Sequence, residues 1–201
     1  MIHFLTSRCS AHALLLLFIL CLNLTGTEQA CATDQKAEIT TELISLFQQD
    51  QAVRKNLIAN NPSTIEKMLS TDHYNAERLN KIIRQIGWPS ENKVGIEASK
   101  AAFFIAQHAI NDRPLMELAL VNLEHSFKSG EPSGKYFAMM YDRLKLLDGE
   151  PQKYGTQIIR NKNSCSVYLL LDKEKVSLYR EEAGFQQDLD SYQKEVCERP
   201  E

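Results

Sequence analysis

A mainly helical domain with a small β-hairpin near its C-terminal end is the fold class this sequence predicts, and three observations predict it. Apolar residues recur at spacings of three and four through most of residues 34–147. Proline-first, glycine-last punctuation brackets two of those stretches, Pro114 to Gly130 and Pro132 to Gly149. After Gly149 the pattern changes, and two short β-prone runs flank a polar stretch. The expected architecture is a multi-helix, orthogonal or bundle-like domain.

The front of the chain stands apart. Arg8 precedes an apolar run from Ala11 to Leu24, too short for a transmembrane helix, which needs about 20 apolar residues. It suits the hydrophobic region of a secretory signal, and Ala30-Cys31-Ala32 supplies the small-x-small pattern of a cleavage site. Cleavage is expected after Ala32. An uncleaved anchor is the competing reading, and the length of the run counts against it. Lipid attachment at Cys21 or Cys31 is a third, but Glu28-Gln29-Ala30 puts a charge where a lipoprotein signal carries leucine. Residues 33–201 are then one exported helical domain, periplasmic or secreted, with no stable membrane insertion once the leader is gone.

The elements follow in order. From Asp34 to about Ala59, residues Ile39, Leu43, Leu46, Phe47, Val53 and Leu57 mark an amphipathic helix that Asn61-Pro62 stops. Pro62 opens a second helix with a short face of Ile65, Met68 and Leu69. A third runs from about Asn75 to Ile86, with Leu79, Ile82 and Ile83 inward, and Gly87 ends it. Glu97 to Asn111 carries small and aromatic residues on every side, the mark of a helix buried nearly all round. Pro114 and Pro132 open the next two. Thr156–Ile159 and Val167–Leu171 read as hairpin strands around Asn161–Ser164, and Leu178 to Val196 as a final helix.

Charge and composition exclude several classes. The chain carries 23 basic and 26 acidic residues, a net charge of −3; losing the leader removes Arg8 and Glu28 and leaves that balance unchanged. No basic stripe suggests nucleic acid. There is no phosphate-binding glycine loop, no His-Glu-x-x-His motif and no Gly-x-Ser-x-Gly elbow. No metal or other cofactor is expected. Of five cysteines, three lie in the leader, and Cys165 and Cys197 remain. An even pair in an exported protein points to a disulfide, with two free buried thiols as the alternative.

Three groups of residues could carry chemistry. Gln107-His108 lies in the buried helix, with Asp112 four residues on. His108 reads either as a general acid or base oriented by a carboxylate or as a satisfied core histidine. Asp142-Arg143 sits mid-helix, where adjacent residues diverge by about 100° and cannot simply pair; one can face a pocket, or both can be surface charges. Gln152, Tyr154 and Gln157 surround Gly155 in a loop that suits either a polar ligand or ordinary turn chemistry.

In order along the chain, Asp50-Gln51-x-x-Arg54, Gly87-Trp88-Pro89, Val94-Gly95, Ala101-Ala102, Gln107-His108-Ala109, Asp142-Arg143 and Gln152-x-Tyr154-Gly155-Thr156-Gln157 resemble the bacterial family called domain of unknown function 6624. The resemblance spans about residues 38–195. It brings no activity, but it places His108, Asp142, Arg143, Gln152, Tyr154 and Gln157 on motif positions. Arg180 and Gly184 match a later stretch of the family, whereas Tyr179 stands where a second arginine is expected; the cysteine pair lies outside the resemblance. Two functions are open at this point. In one, His108 acts as general acid or base and Asp142 orients it or a water. Gln107, Arg143, Gln152, Tyr154 and Gln157 then hold a small polar or anionic ligand for hydrolysis or group transfer. In the other, the same residues form a buried polar network in a non-catalytic exported domain that meets a protein partner.

Overall fold

The computed structural model describes residues 34–198 apart from 59, 162 and 163, so the expected leader and its cleavage site lie outside the described residues. The fold is mainly helical. Helix α1 (residues 34–55) leads to α2 (Pro62–Ile86), the short α3 (Glu91–Val94), α4 (Ile96–His108), α5 (Arg113–Lys128) and α6 (Gly134–Leu147). Strands β1 (Ile158–Asn161) and β2 (Ser164–Val167) follow, then α7 (Val176–Glu182) and α8 (Leu189–Glu198).

Helix α4 is the centre. Ala98, Ala101, Ala102, Phe103, Ile105, Ala106 and Gln107 are all buried, and α2, α3, α5 and α6 pack against it. The alanines let neighbouring helices approach closely, while Phe103 fills the space between them, a burial worth about 1.5–3 kcal/mol. Leu43 and Leu46 of α1 and Leu79 and Ile82 of α2 complete this core on one side, and Met116, Ala119, Ala138 and Met140 on the other.

Helix α1 ends at residue 55 rather than about Ala59, and the short α3 has no counterpart in the sequence expectation; four further differences each have a local reason. The two helices expected between Pro62 and Ile86 are one helix of 25 residues, capped by the Asn61 side chain at the Ser63 and Thr64 N–H groups. No glycine or proline interrupts residues 63–86, so nothing breaks it, and Ile65 and Leu69 of the expected inward face are exposed. Helix α4 stops at His108, not Asn111, because the Asp112 carboxylate caps α5 at the Leu115 N–H (3.1 Å). The hairpin lies nearer its turn than expected, with Ile158 opposite Val167 and Asn161 opposite Ser164. Beyond it Leu169 has φ 38°, and the chain pairs with Gln152: the Gln152 N–H donates to the Leu169 carbonyl and Leu171 N–H to the Gln152 carbonyl, both at 2.8 Å. The expected final helix is two helices, divided where Gly184 takes φ +81°, the left-handed conformation that commonly ends a helix.

Cys165 of β2 and Cys197 of α8 are bonded, with their Cα atoms 5.8 Å apart, so the expected disulfide is present. No helix among the described residues is long and apolar enough to cross a membrane.

Candidate functional site

Two polar centres emerge, and they divide the residues singled out in the sequence.

The first joins the C-terminal turns of α1 and α4. His108 Nδ1 lies 2.8 Å from Asp50 Oδ1, and Asp50 is 1% exposed. The same carboxylate accepts hydrogen bonds from Gln51 Nε2 at 2.7 Å and pairs with Arg54 Nη1 at 2.8 Å. Arg54 reaches on to Asp72 of α2, with Nη2 at 2.9 and 3.0 Å from its two oxygens. Asp50 and Arg54 are four residues apart on one helical face, which is why one guanidinium can serve both acids. A carboxylate only accepts, so the Nδ1 that faces Asp50 carries a hydrogen. Burial raises the Asp72 carboxyl above its ordinary value, opposed by the charge and hydrogen bonds of Arg54.

His108 also borders a cleft of about 160 Å³ between α2 and the α4–α5 turn. Asp72, Glu77 and Asp112 supply its acidic wall; Leu69, Ala76, Ala109 and Ile110 supply the apolar one. The imidazole is 17% exposed, so it is held from behind and open in front. Phe104, one turn earlier on α4, lies 6.1 Å from the His108 ring and stacks on Phe47 of α1 at 5.2 Å. Asp112, the carboxylate expected beside His108, caps α5 instead and accepts from Asn80 Nδ2 at 2.8 Å.

The second centre fastens the 152–157 loop. Asp142 is fully buried. Its Oδ1 accepts from the Lys153 and Tyr154 N–H groups at 2.9 and 3.1 Å. Its Oδ2 accepts from the Thr156 N–H and hydroxyl at 2.9 and 3.0 Å. Burial raises this carboxyl above its ordinary value and the four donors oppose the rise. Gln152, also fully buried, accepts from the Gln157 N–H at 2.8 Å and donates to the Gln157 carbonyl at 2.9 Å. The Gln157 side chain donates to Thr156 Oγ1 at 3.1 Å. Tyr154 is buried among Phe137, Tyr141 and Tyr179, and burial, with the nearby Asp142 charge, pushes its phenol up to about 12.

Of the expected site residues, then, Asp142, Gln152, Tyr154 and Gln157 come together, but as a loop fastening. None of the four borders the His108 cleft. The carboxylate at His108 is Asp50, whereas the Asp142 oxygens accept from the Lys153, Tyr154 and Thr156 N–H groups and the Thr156 hydroxyl. Gln107 is buried in α4 beside His108. Arg143 is half-buried, and its Nε is buried without a hydrogen-bond partner. Asp50, Arg54 and Asp72 were not among the expected site residues. Asp50 and Arg54 did stand in the Asp50-Gln51-x-x-Arg54 motif, and a buried acid and base at that spacing is the signal that could have found them. Among the described residues no cluster of histidine, cysteine and carboxylate side chains could hold a metal ion.

The chain belongs to a family of unknown function, DUF6624, which it matches over residues 37–195. No curated protein matches it, and no solved structure does.

Proposed function

We propose that this protein is an exported enzyme that hydrolyses, or transfers a group from, a small polar ligand, with His108 as general base. The observation that carries the reading is the Asp50–His108 pair at 2.8 Å, with a buried acid behind the imidazole and a cleft in front. Asp50 fixes the tautomer, so Nε2 can take a proton from water in the cleft and return it to a leaving group. None of the residues lining the cleft carries a hydroxyl or thiol, so the proton His108 takes in this reading is that of a water. Its volume suits a small group, since a cavity of about 150 Å³ takes a benzene-sized molecule, and its acidic wall favours a polar or basic group there. Export is supported by the sequence of residues 1–32 and by the Cys165–Cys197 bond, which oxidising compartments sustain.

The test is hydrolysis of a panel of small esters, amides and phosphoesters by wild type and His108→Gln. The variant is expected to keep the fold and to lose about 100-fold or more in rate, as removal of a positioned base typically does. Equal rates in the two proteins would remove the proposal. A non-catalytic exported domain is the second reading, and the fully paired Asp142–Gln152–Gln157 network favours it for that half of the molecule: such networks fix one arrangement of a core.

A further inference from the structure

Arg143 stands apart from the other arginines around the core. Arg54, Arg78 and Arg113 each hold a carboxylate, and Arg180 donates to the Tyr154 and Gln187 carbonyls. Arg143 has no ion pair or hydrogen bond among the described residues, and its Nε is buried without a partner. A guanidinium does not shed its proton in a protein, so burial without an anion is costly.

Its location gives that orphan a meaning. Three helical stripes start together at Phe104, which stacks on Phe47 of α1 and meets Tyr136 of α6 edge-on at 6.4 Å. On α4 the next turn brings His108. On α1, Phe47 is followed on the same face by Asp50 and Arg54, and on α6 Tyr136 is followed by Met140 and Arg143. Seven residues rise about 10.5 Å, so the α1 and α6 stripes climb by the same amount, one to Arg54 and the other to Arg143. Burial, and after it repulsion from the Arg54 guanidinium, lowers the Arg143 pKa, with Tyr192 opposing. Arg54 already spends its Nη1 and Nη2 on Asp50 and Asp72; no carboxylate among the described residues pairs with Arg143.

We propose that Arg143 is an oxyanion subsite that takes a carboxylate or phosphate group of the ligand. A planar guanidinium carries the fork of donors that such groups match, and no protein acceptor among the described residues takes up its Nε–H. The use of this subsite in turnover rests on the general-base reading of His108; its capacity to bind an anion does not.

Inorganic phosphate and acetate, titrated separately at constant ionic strength with chloride as balance, test it on the whole protein by calorimetry and by the Arg143 Nε–H resonance. Saturable binding of at least one of them is expected, with that resonance shifting, and the tighter of the two names the group. Arg143→Gln should weaken binding at least tenfold, Arg143→Lys severalfold, and His108→Gln less than twofold. No saturable binding of either anion to wild type, or wild-type affinity in Arg143→Gln, overturns the subsite. The direct shift of the wild-type resonance decides the matter if the glutamine variant does not fold. Binding that Arg143→Gln abolishes, in a protein whose turnover His108→Gln leaves unchanged, would uphold the subsite while ending the general-base reading.

Discussion

Asp50 and His108 are 58 residues apart in the chain and 2.8 Å apart in the fold. The contact is made because α1 and α4 bring their C-terminal turns to the same place, and Phe47 stacked on Phe104 sets that alignment one turn earlier. Arg54 then ties the acid to α2 through Asp72, so three helices converge on one imidazole. A carboxylate this deeply buried, with three donors, is a rigid support for a ring whose other nitrogen has no protein partner among the described residues.

Replacing either member should therefore be felt by the other. Asp50→Asn leaves an amide that can no longer accept from Arg54, Gln51 and His108 together, and a loss of about 1–3 kcal/mol in stability is expected. His108→Gln should cost less, since Arg54 still holds Asp50. Denaturant unfolding of the two single variants and the double variant should give a coupling energy of about 0.5–3 kcal/mol, the range for residues in one hydrogen-bonded network. Strict additivity would mean that the 2.8 Å contact contributes nothing.

Asp142 tests the other centre. Asp142→Ala strips the acceptor from three backbone N–H groups and one hydroxyl, all in the 153–156 loop. Each buried donor left unsatisfied costs about 1–3 kcal/mol, so destabilisation of at least about 3 kcal/mol is expected by urea unfolding. Asp142→Asn, which keeps one oxygen, should lose less. If the general-base reading holds, neither variant should alter turnover per folded molecule by more than about twofold. A near-wild-type midpoint for Asp142→Ala would show that the loop finds other partners.

Much of this was legible in the sequence and some was not, for reasons that can be named. The buried helix around Phe103 followed from its small and aromatic residues, and the Cys165–Cys197 bond from parity and compartment. The two-helix expectation for residues 62–86 gives way to one helix because the apolar spacing lapses over Ser70–His73 while nothing there ends a helix, which takes a glycine, a proline or a competing cap. Gly184 carried the signal for the α7–α8 division; the charge pattern of residues 178–196 hid it. His108 and Asp142 were recognisable as costly polar residues, but which carboxylate met the imidazole depended on how α1 crosses α4. Helical spacing cannot give that crossing, and the one residue it offered, Asp112, belongs to the next helix.

Tyr154 makes a pH prediction. Its phenol is raised from 10 to about 12, first by burial and then by the Asp142 charge, so between those values the folded state keeps a proton that the unfolded state releases. Stability from this group is complete below pH 10 and is lost as pH rises through 12. In Tyr154→Phe that component is absent. The stability difference between wild type and variant should therefore shift against wild type by up to about 2–3 kcal/mol across this range, read from denaturant midpoints at a series of alkaline pH values. A constant difference would place the phenol in contact with water.

The disulfide should matter most for α8, which has no fully buried residue. Polar contacts tie this helix to the rest, among them Tyr192 Oη donating to the Thr156 carbonyl at 3.0 Å, the Val167 N–H donating to Gln193 Oε1 at 3.1 Å, Gln187 Nε2 donating to Glu195 at 3.0 Å, and Arg160 donating to the Val196 carbonyl. Surface contacts of this kind are weak against the entropy of a free terminus. The bond closes a separation of 32 residues, worth about 3–4 kcal/mol in the chain-entropy treatment. Reduction, or Cys197→Ser, should lower the melting temperature by several degrees and speed amide exchange first in residues 189–198. The α4 core and the Asp50–His108 contact should be untouched. Loss of protection throughout the domain would instead make the tether part of the global unfolding unit, and unchanged exchange in α8 would mean that its polar contacts suffice alone.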